Sequence, residues 1–278
     1  MRVLLTGAAG FIGSAVAEAF DGTTARMTGV DPVHDPGCDV RRFAAEDDTR
    51  YDVAIHCAAA VVSTAEKATA GARVAENVEI DAAFFRWAAR TRPGRVVYFS
   101  SSCAYPEALT GEDGKPLREE DITLRAPEWP DGLYGWAKLT GELLAGELGV
   151  PVTVMRPFSV YGPGMKPGFA VSSFTAQLAA SPAVEIWGTG TQVRDYIHVS
   201  DVARAVVAAV AEGVDGPVNL GTGTGTSLPE LARMIRPDAT IRLEPGKMQG
   251  PERLVADVLR LSMFCPPRIG LEEGLAGL

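Results

Sequence analysis

Val3, Leu4 and Leu5 form an apolar run long enough for a buried strand and too short for a helix. Three glycines follow at Gly7, Gly10 and Gly13, and then an amphipathic run from Phe11 to Phe20. Strand, glycine turn and helix in that order are the context of a dinucleotide fingerprint. Gly7 permits the tight turn, Gly10 lets backbone approach a pyrophosphate, and Gly13 lets helix and strand pack closely. The N–H groups that open the helix, at Phe11, Ile12 and Gly13, are then placed for phosphates.

The next strand, Met27 to Val30, ends at Asp31, where an acidic residue would hold the adenosine ribose hydroxyls. No arginine directly follows Asp31 to receive a 2′-phosphate, so NAD is expected rather than NADP. Further along, Asp39, with Val40 beside it, is a candidate for the adenine amino group, although a solvated loop carboxylate accounts for it as well. A third strand over Tyr51 to Cys57 leads into Ala58, Ala59 and Ala60, small residues where backbone can line a cofactor. His56 at that strand's end reads as a packed, hydrogen-bonded residue. Ala75 to Arg90 is helical, carrying Asn77 and an apolar face at Val78, Ala82, Phe85 and Ala89.

Strands and helices alternate through Pro157, which predicts an α/β fold with a doubly wound parallel sheet of the Rossmann type. Short strands at Ala183 to Trp187, Arg194 to Val199 and Ile241 to Leu243 are mixed with helices thereafter. Ser200 is placed to cap one of them, and Ser227-Leu-Pro-Glu230 is a capping-box start for another. These pieces suit a smaller mixed α/β C-terminal substrate lobe. The expected division is 1–157 plus 192–222 for the cofactor body and 158–191 plus 223–278 for the lobe. Gly111 to Pro130, charged and proline-containing, is expected to run over the surface.

A chain of 278 residues, 46% hydrophobic, can bury a large core. Its net charge of −9 argues against a nucleic-acid surface, so a phosphate-bearing ligand must be met by a few local arginines. No apolar run reaches the ~20 residues of a membrane span, and no signal-peptide pattern is present. Cys38, Cys57, Cys103 and Cys265 lack metal-type spacing, so no metal site is expected and the thiols read as reduced in a cytoplasmic protein.

The chemistry gathers at two places. A strand over Arg95 to Phe99 runs into Ser100, Ser101, Ser102 and Cys103, at the carboxyl end where open α/β sheets place ligands. Tyr134-Gly-Trp-Ala-Lys138 puts a phenol and an ammonium four residues apart on one helix face. A free tyrosine titrates near pH ~10, so it serves as a base only where nearby cations favour its phenolate. Lys138 supplies one such charge, and Tyr134 is then able to take a proton from a hydroxyl.

With glycine fingerprint, serine cluster and Tyr-x-x-x-Lys in order, the chain resembles an extended short-chain dehydrogenase/reductase of the NAD-dependent epimerase/dehydratase family. The likeness extends to Asn77, Arg156-Pro157 before Val160-Tyr-Gly-Pro163, Arg194-Asp-Tyr-Ile-His-Val-Ser-Asp201, Asn219-Leu-Gly-Thr222, and Arg253 before Ala256-Asp257. The resemblance implies an enzyme acting on a nucleotide-diphosphate sugar, with Asn77 and Pro157 beside the cofactor. It implies Ser101 as the residue that hydrogen-bonds the reacting hydroxyl, with Ser102 as the fallback, and Arg194 and Arg253 as diphosphate or ribose contacts. It also implies a homodimer.

Family dehydratases and decarboxylases carry acidic residues after that serine, and this chain has Ser102 and Cys103. The string Ser-Ser-Cys-Ala-Tyr-Pro most resembles the GDP-mannose 3,5-epimerase and GDP-fucose synthase branches, where the cysteine is an acid/base. Two readings of Cys103 stand: a proton-exchanging thiol beside the sugar, or a small buried packing residue. The stretch after Gly162 offers only Lys166 as a second acid/base, and a simple 4-epimerase, the UDP-glucose type, needs neither group. The expectation is an NAD-dependent epimerase working through a transient keto sugar. The alternatives are a ketoreductase with the same Ser101, Tyr134 and Lys138, and a non-catalytic dinucleotide-sensing protein.

Overall fold

The computed structural model describes residues 1–33, 35, 38–61, 70–110, 114–124, 132–247 and 250–278. The first half alternates strictly: β1 (Arg2–Thr6), α1 (Phe11–Phe20), β2 (Arg26–Val30), α2 (Val40–Glu46), β3 (Val53–His56), α3 (Ala70–Thr91), β4 (Val96–Phe99), α4 (Gly132–Gly146) and β5 (Val152–Pro157). Then follow β6 (Ser159–Tyr161), α5 (Ala170–Ala180), β7 (Ala183–Trp187), β8 (Val193–His198), α6 (Val199–Glu212) and β9 (Gly216–Leu220). The chain finishes with β10 (Gly225–Ser227), α7 (Leu228–Ile235), β11 (Thr240–Glu244), β12 (Arg253–Leu254), α8 (Leu259–Phe264) and α9 (Leu271–Ala276).

Six strands form one sheet in the order β2-β1-β3-β4-β5-β9, every pair parallel. Alternation along the strands divides the core by face. Val3, Leu5, Ile55, Val97, Met155 and Val218 pack beneath α1 and α6. Leu4, Ala54, Val96, Tyr98 and Val154 pack beneath α2, α3 and α4. Parallel strands buried on both faces read as short continuous apolar runs, which is how they appear in this sequence.

The remaining strands lie outside that sheet. β8 pairs with β6 and β12 in parallel and with β10 antiparallel, and β7 pairs with β11. β8 is thus the central strand of this second sheet, whereas β9 lies in the six-stranded sheet and α6 packs against α1. Two local expectations change. His198, not Ser200, caps α6, its imidazole Nδ1 accepting from Ser200 N at 3.2 Å. Phe85 of the expected face of α3 is buried, but Val78 is 46% exposed and Ala89 is exposed, and the buried face runs through Asn77, Ile80, Asp81, Phe84, Phe85 and Ala88. The surface run from Gly111 to Pro130 falls partly outside the described residues. The capping box at Ser227 forms as read, with Glu230 N donating to Ser227 Oγ and Ser227 N donating to Glu230 Oε2.

Candidate active site

The glycine turn is built by backbone contact. Gly7 has φ of +73°, and a Cβ there would meet Ala58 N at 2.7 Å, so the turn after β1 lies against the segment after β3. A Cβ on Gly13 would overlap the Gly7 carbonyl oxygen. Gly10 begins α1 without a side-chain cap, leaving the opening N–H groups at Phe11 and Ile12 for a ligand's phosphates.

Asp31, at the end of β2, is buried and accepts from Ala9 N at 3.0 Å and Val33 N at 2.9 Å. It therefore braces the glycine turn. Asn77 accepts from Ala60 N at 2.7 Å and donates to Ala60 O at 2.9 Å, which clamps the Ala58–Ala60 backbone. These features form a cradle that added side chains would fill, and they fit a dinucleotide. Asp39 caps α2 through Arg41 N at 2.8 Å and pairs with the Arg41 guanidinium at 2.6 Å, with Val40 buried behind it. Pro157 is buried at the carboxyl end of β5.

Beyond β4 the chain turns through Ser101, whose Oγ accepts from Cys103 N at 3.1 Å and caps a 3₁₀ turn over Ser102–Ala104. Ser102 is buried, and Ser101 and Cys103 are half-buried. Tyr134 and Lys138 stand on α4, which packs against that turn. Burial drives the Tyr134 phenol above its ordinary value, with Cys103 and then Asp81 reinforcing the effect. Lys138 is buried at 2% exposure, 3.9 Å from Asp81 Oδ2 and 5.1 Å from the centre of the Tyr98 ring. The ammonium thus faces a carboxylate that sequence reading did not single out.

Below this pair lies a second charged core. Arg156 donates to Glu142 through Nε at 3.0 Å and Nη2 at 2.7 Å, and through Nη1 to Glu119 O at 2.9 Å. Ser100 Oγ donates to the same Glu142 at 2.5 Å, tying the residue before Ser101 to α4. In the second sheet, Arg194 is half-buried and donates to Val193 O at 2.8 Å. Arg253 presents a buried Nε without a hydrogen-bond partner among the described residues. Asp195 gathers the neighbouring backbone, accepting from Thr222 N at 2.7 Å, Gly223 N at 2.9 Å and Ala256 N at 3.2 Å.

Asp81, Tyr98 and Glu142 are the residues that sequence reading missed. The available signal was spacing: Asn77 and Asp81 stand one helical turn apart. Among the described residues there is no His/Cys/Asp/Glu group able to hold a metal ion and no helix long and apolar enough to cross a membrane. His56 is buried, bonded to Thr6 Oγ1 at 2.6 Å and Asp81 Oδ1 at 3.1 Å, and burial holds its imidazole below the ordinary value against the opposing carboxylate.

Residues 3–221 match the NAD dependent epimerase/dehydratase family. A dTDP-4-dehydro-6-deoxy-D-allose reductase of Streptomyces bikiniensis is 30% identical, over 98% of this chain and 94% of the relative. The UDP-glucose 4-epimerase of Thermotoga maritima, solved with UDP-glucose, superposes with a TM-score of 0.83 at 27% identity, covering 100% and 97% of the two chains. A Thermus thermophilus UDP-glucose 4-epimerase solved with NAD shares the fold, with a TM-score of 0.83 at 23% identity over 99% and 96%. With its parallel sheet, glycine cradle and Tyr134–Lys138 pair, this chain belongs to the NAD-dependent epimerase/dehydratase family, and its cofactor is NAD.

Proposed function

We propose that the protein is an NAD-dependent epimerase that inverts a ring carbon of a nucleotide-diphosphate sugar through a transient keto sugar. The observation that supports this reading is the packing of α4, which carries Tyr134 and Lys138, against the turn that Ser101 caps, with Ser102 and Cys103 where a dehydratase would need acids. Ser101 Oγ hydrogen-bonds the reacting hydroxyl, and Tyr134 takes its proton and later returns it. Bound NAD supplies the acceptor and donor for the hydrogen that leaves the carbon. Lys138 steadies the phenolate form of Tyr134 that is poised to take this proton. Arg194 and Arg253 meet the diphosphate, and the unpartnered Nε of Arg253 supports that role. Ser102 and Cys103 line the sugar side.

The cofactor rests on the six-stranded body, held by the Gly7–Gly13 turn, Asp31, the Ala58–Ala60 backbone and Asn77, and the second sheet covers the sugar. Val78 of α3 and Leu133, Leu143 and Leu144 of α4 are exposed apolar residues, which supports a homodimer formed through these helices.

A second reading, a ketoreductase, is favoured by the full-length likeness to a 4-keto-sugar reductase. The two are separated by cofactor stoichiometry with a panel of nucleotide sugars. An epimerase forms product with catalytic NAD and no net change in reduced nicotinamide. One reduced nicotinamide consumed per product establishes the reductase, and no turnover on any sugar with tight NAD binding overturns both.

A further inference from the structure

Lys138 meets its counter-ion in a buried ladder that crosses the sheet. Thr6 Oγ1 on β1 bonds His56 Nδ1 at 2.6 Å, and His56 Nε2 on β3 reaches Asp81 Oδ1 at 3.1 Å. Tyr98 on β4 donates its hydroxyl to Asp81 Oδ2 at 2.6 Å. Lys138 Nζ stands 3.9 Å from that same oxygen. The ladder is packed in place: His56 stacks on Phe84 at 4.0 Å, and a Cβ on Gly141 would overlap the Tyr98 hydroxyl.

A separation of 3.9 Å is an ion pair but not a hydrogen bond, so the ammonium protons are not committed to Asp81. Stability alone does not require this arrangement, since apolar groups of the same shape serve a core as well as a buried ion pair does. We propose that Asp81 is a positioning residue for proton transfer: held by Tyr98 and His56, its carboxylate anchors the Lys138 ammonium and withholds part of that charge from Tyr134. This inference rests on Tyr134 and Lys138 being the acid–base pair.

The charges around the ladder agree with it. From β3 it faces an imidazole kept neutral by burial and the Cys57 thiol, which burial also pushes up. From β4 comes Tyr98, raised first by burial and then by Asp81. From α4, Glu142 is already neutralised by Arg156, and from the 3₁₀ turn Cys103 acts on Tyr134. Burial works to raise Asp81, yet Lys138 and the hydrogen bonds from His56 and Tyr98 hold it below the usual carboxylate range. Among the described residues, Asp81 is thus the carboxylate that bears on the pair alongside the Cys103 thiol.

Removing an anion makes both Tyr134 and Lys138 poorer at holding a proton. The pair therefore releases its proton at lower pH whichever group carries it. The test is an ultraviolet titration of phenolate in the NAD-loaded protein without substrate, taking the difference from Tyr134→Phe.

In Asp81→Asn, whose amide oxygen still accepts from Tyr98, the Tyr134 signal moves down by about one pH unit or more, the size expected of a charge about 4–6 Å away. In Tyr98→Phe, which frees Oδ2 for Lys138, the signal moves up. A signal unmoved or raised in Asp81→Asn, or unmoved or lowered in Tyr98→Phe, overturns the inference, and the second variant decides alone if the first does not fold. Turnover retained by Tyr134→Phe would instead defeat the functional reading and leave the titration result standing.

Discussion

Replacing Arg156 with methionine tests how the floor of the site is held. Both side chains of the Arg156–Glu142 pair are nearly sealed from solvent, at 2% and 1% exposure. The substitution removes two hydrogen bonds to Glu142, one to the Glu119 carbonyl and one to Tyr105. It leaves a buried carboxylate with Ser100 as its remaining donor. Breaking a buried pair from one side costs about 3–5 kcal/mol. At roughly 2–4 °C per kcal/mol for a chain near this size, the melting temperature of Arg156→Met falls by about 6–20 °C. Because Ser100 precedes Ser101, activity falls further than the folded fraction alone explains. Thermal unfolding followed by circular dichroism reads the shift, and Arg156→Met with Glu142→Met supplies the control. Removing both charges returns stability to within about 2 kcal/mol of the parent, since the desolvation cost disappears with them. A single variant melting within about 3 °C of the parent, or a double variant less stable than the single, refutes the reasoning.

Two further outcomes follow from contacts already described. Gly13→Ala forces a Cβ onto the Gly7 carbonyl, so NAD affinity measured by calorimetry falls at least tenfold, about 1.4 kcal/mol; an unchanged Kd contradicts a cradle built by close backbone approach. Burial keeps His56 neutral, whereas an unfolded imidazole takes up a proton near pH ~6.5, so stability is lost as pH falls below that value; His56→Gln flattens this dependence in urea midpoints at pH ~7.5 and ~5.5, and an equal loss in both proteins counts against it.

The cofactor half of the fold was legible because its signals are local. A glycine that needs a positive φ, a second that admits no Cβ, and short apolar runs each declare themselves within a few residues. α2 was not read from the sequence because its cap, Asp39, looks like any loop aspartate until the helix is seen. α3 was turned by about one position because its alanines give little contrast between faces, so Asp81 was not singled out. Its meaning comes from Tyr98 and Lys138, 17 and 57 positions away, and such pairings are invisible to periodicity. His198 displaced Ser200 as a cap because the helix begins two residues earlier than a cap at Ser200 would set it. The roles of Arg194 and Arg253 came from family resemblance, as neither has a local signal that separates it from a surface arginine.

The most direct measurement is single-turnover oxidation of a nucleotide sugar by NAD-loaded Tyr134→Phe, with NAD affinity measured on the same sample. Loss of a general base costs about 10²–10⁴-fold, so the rate falls by that factor while the Kd for NAD stays within about threefold of the parent. A variant oxidising sugar within about tenfold of the parent rate would show that the proton leaves by another route, and Tyr134 would have no claim to the chemistry.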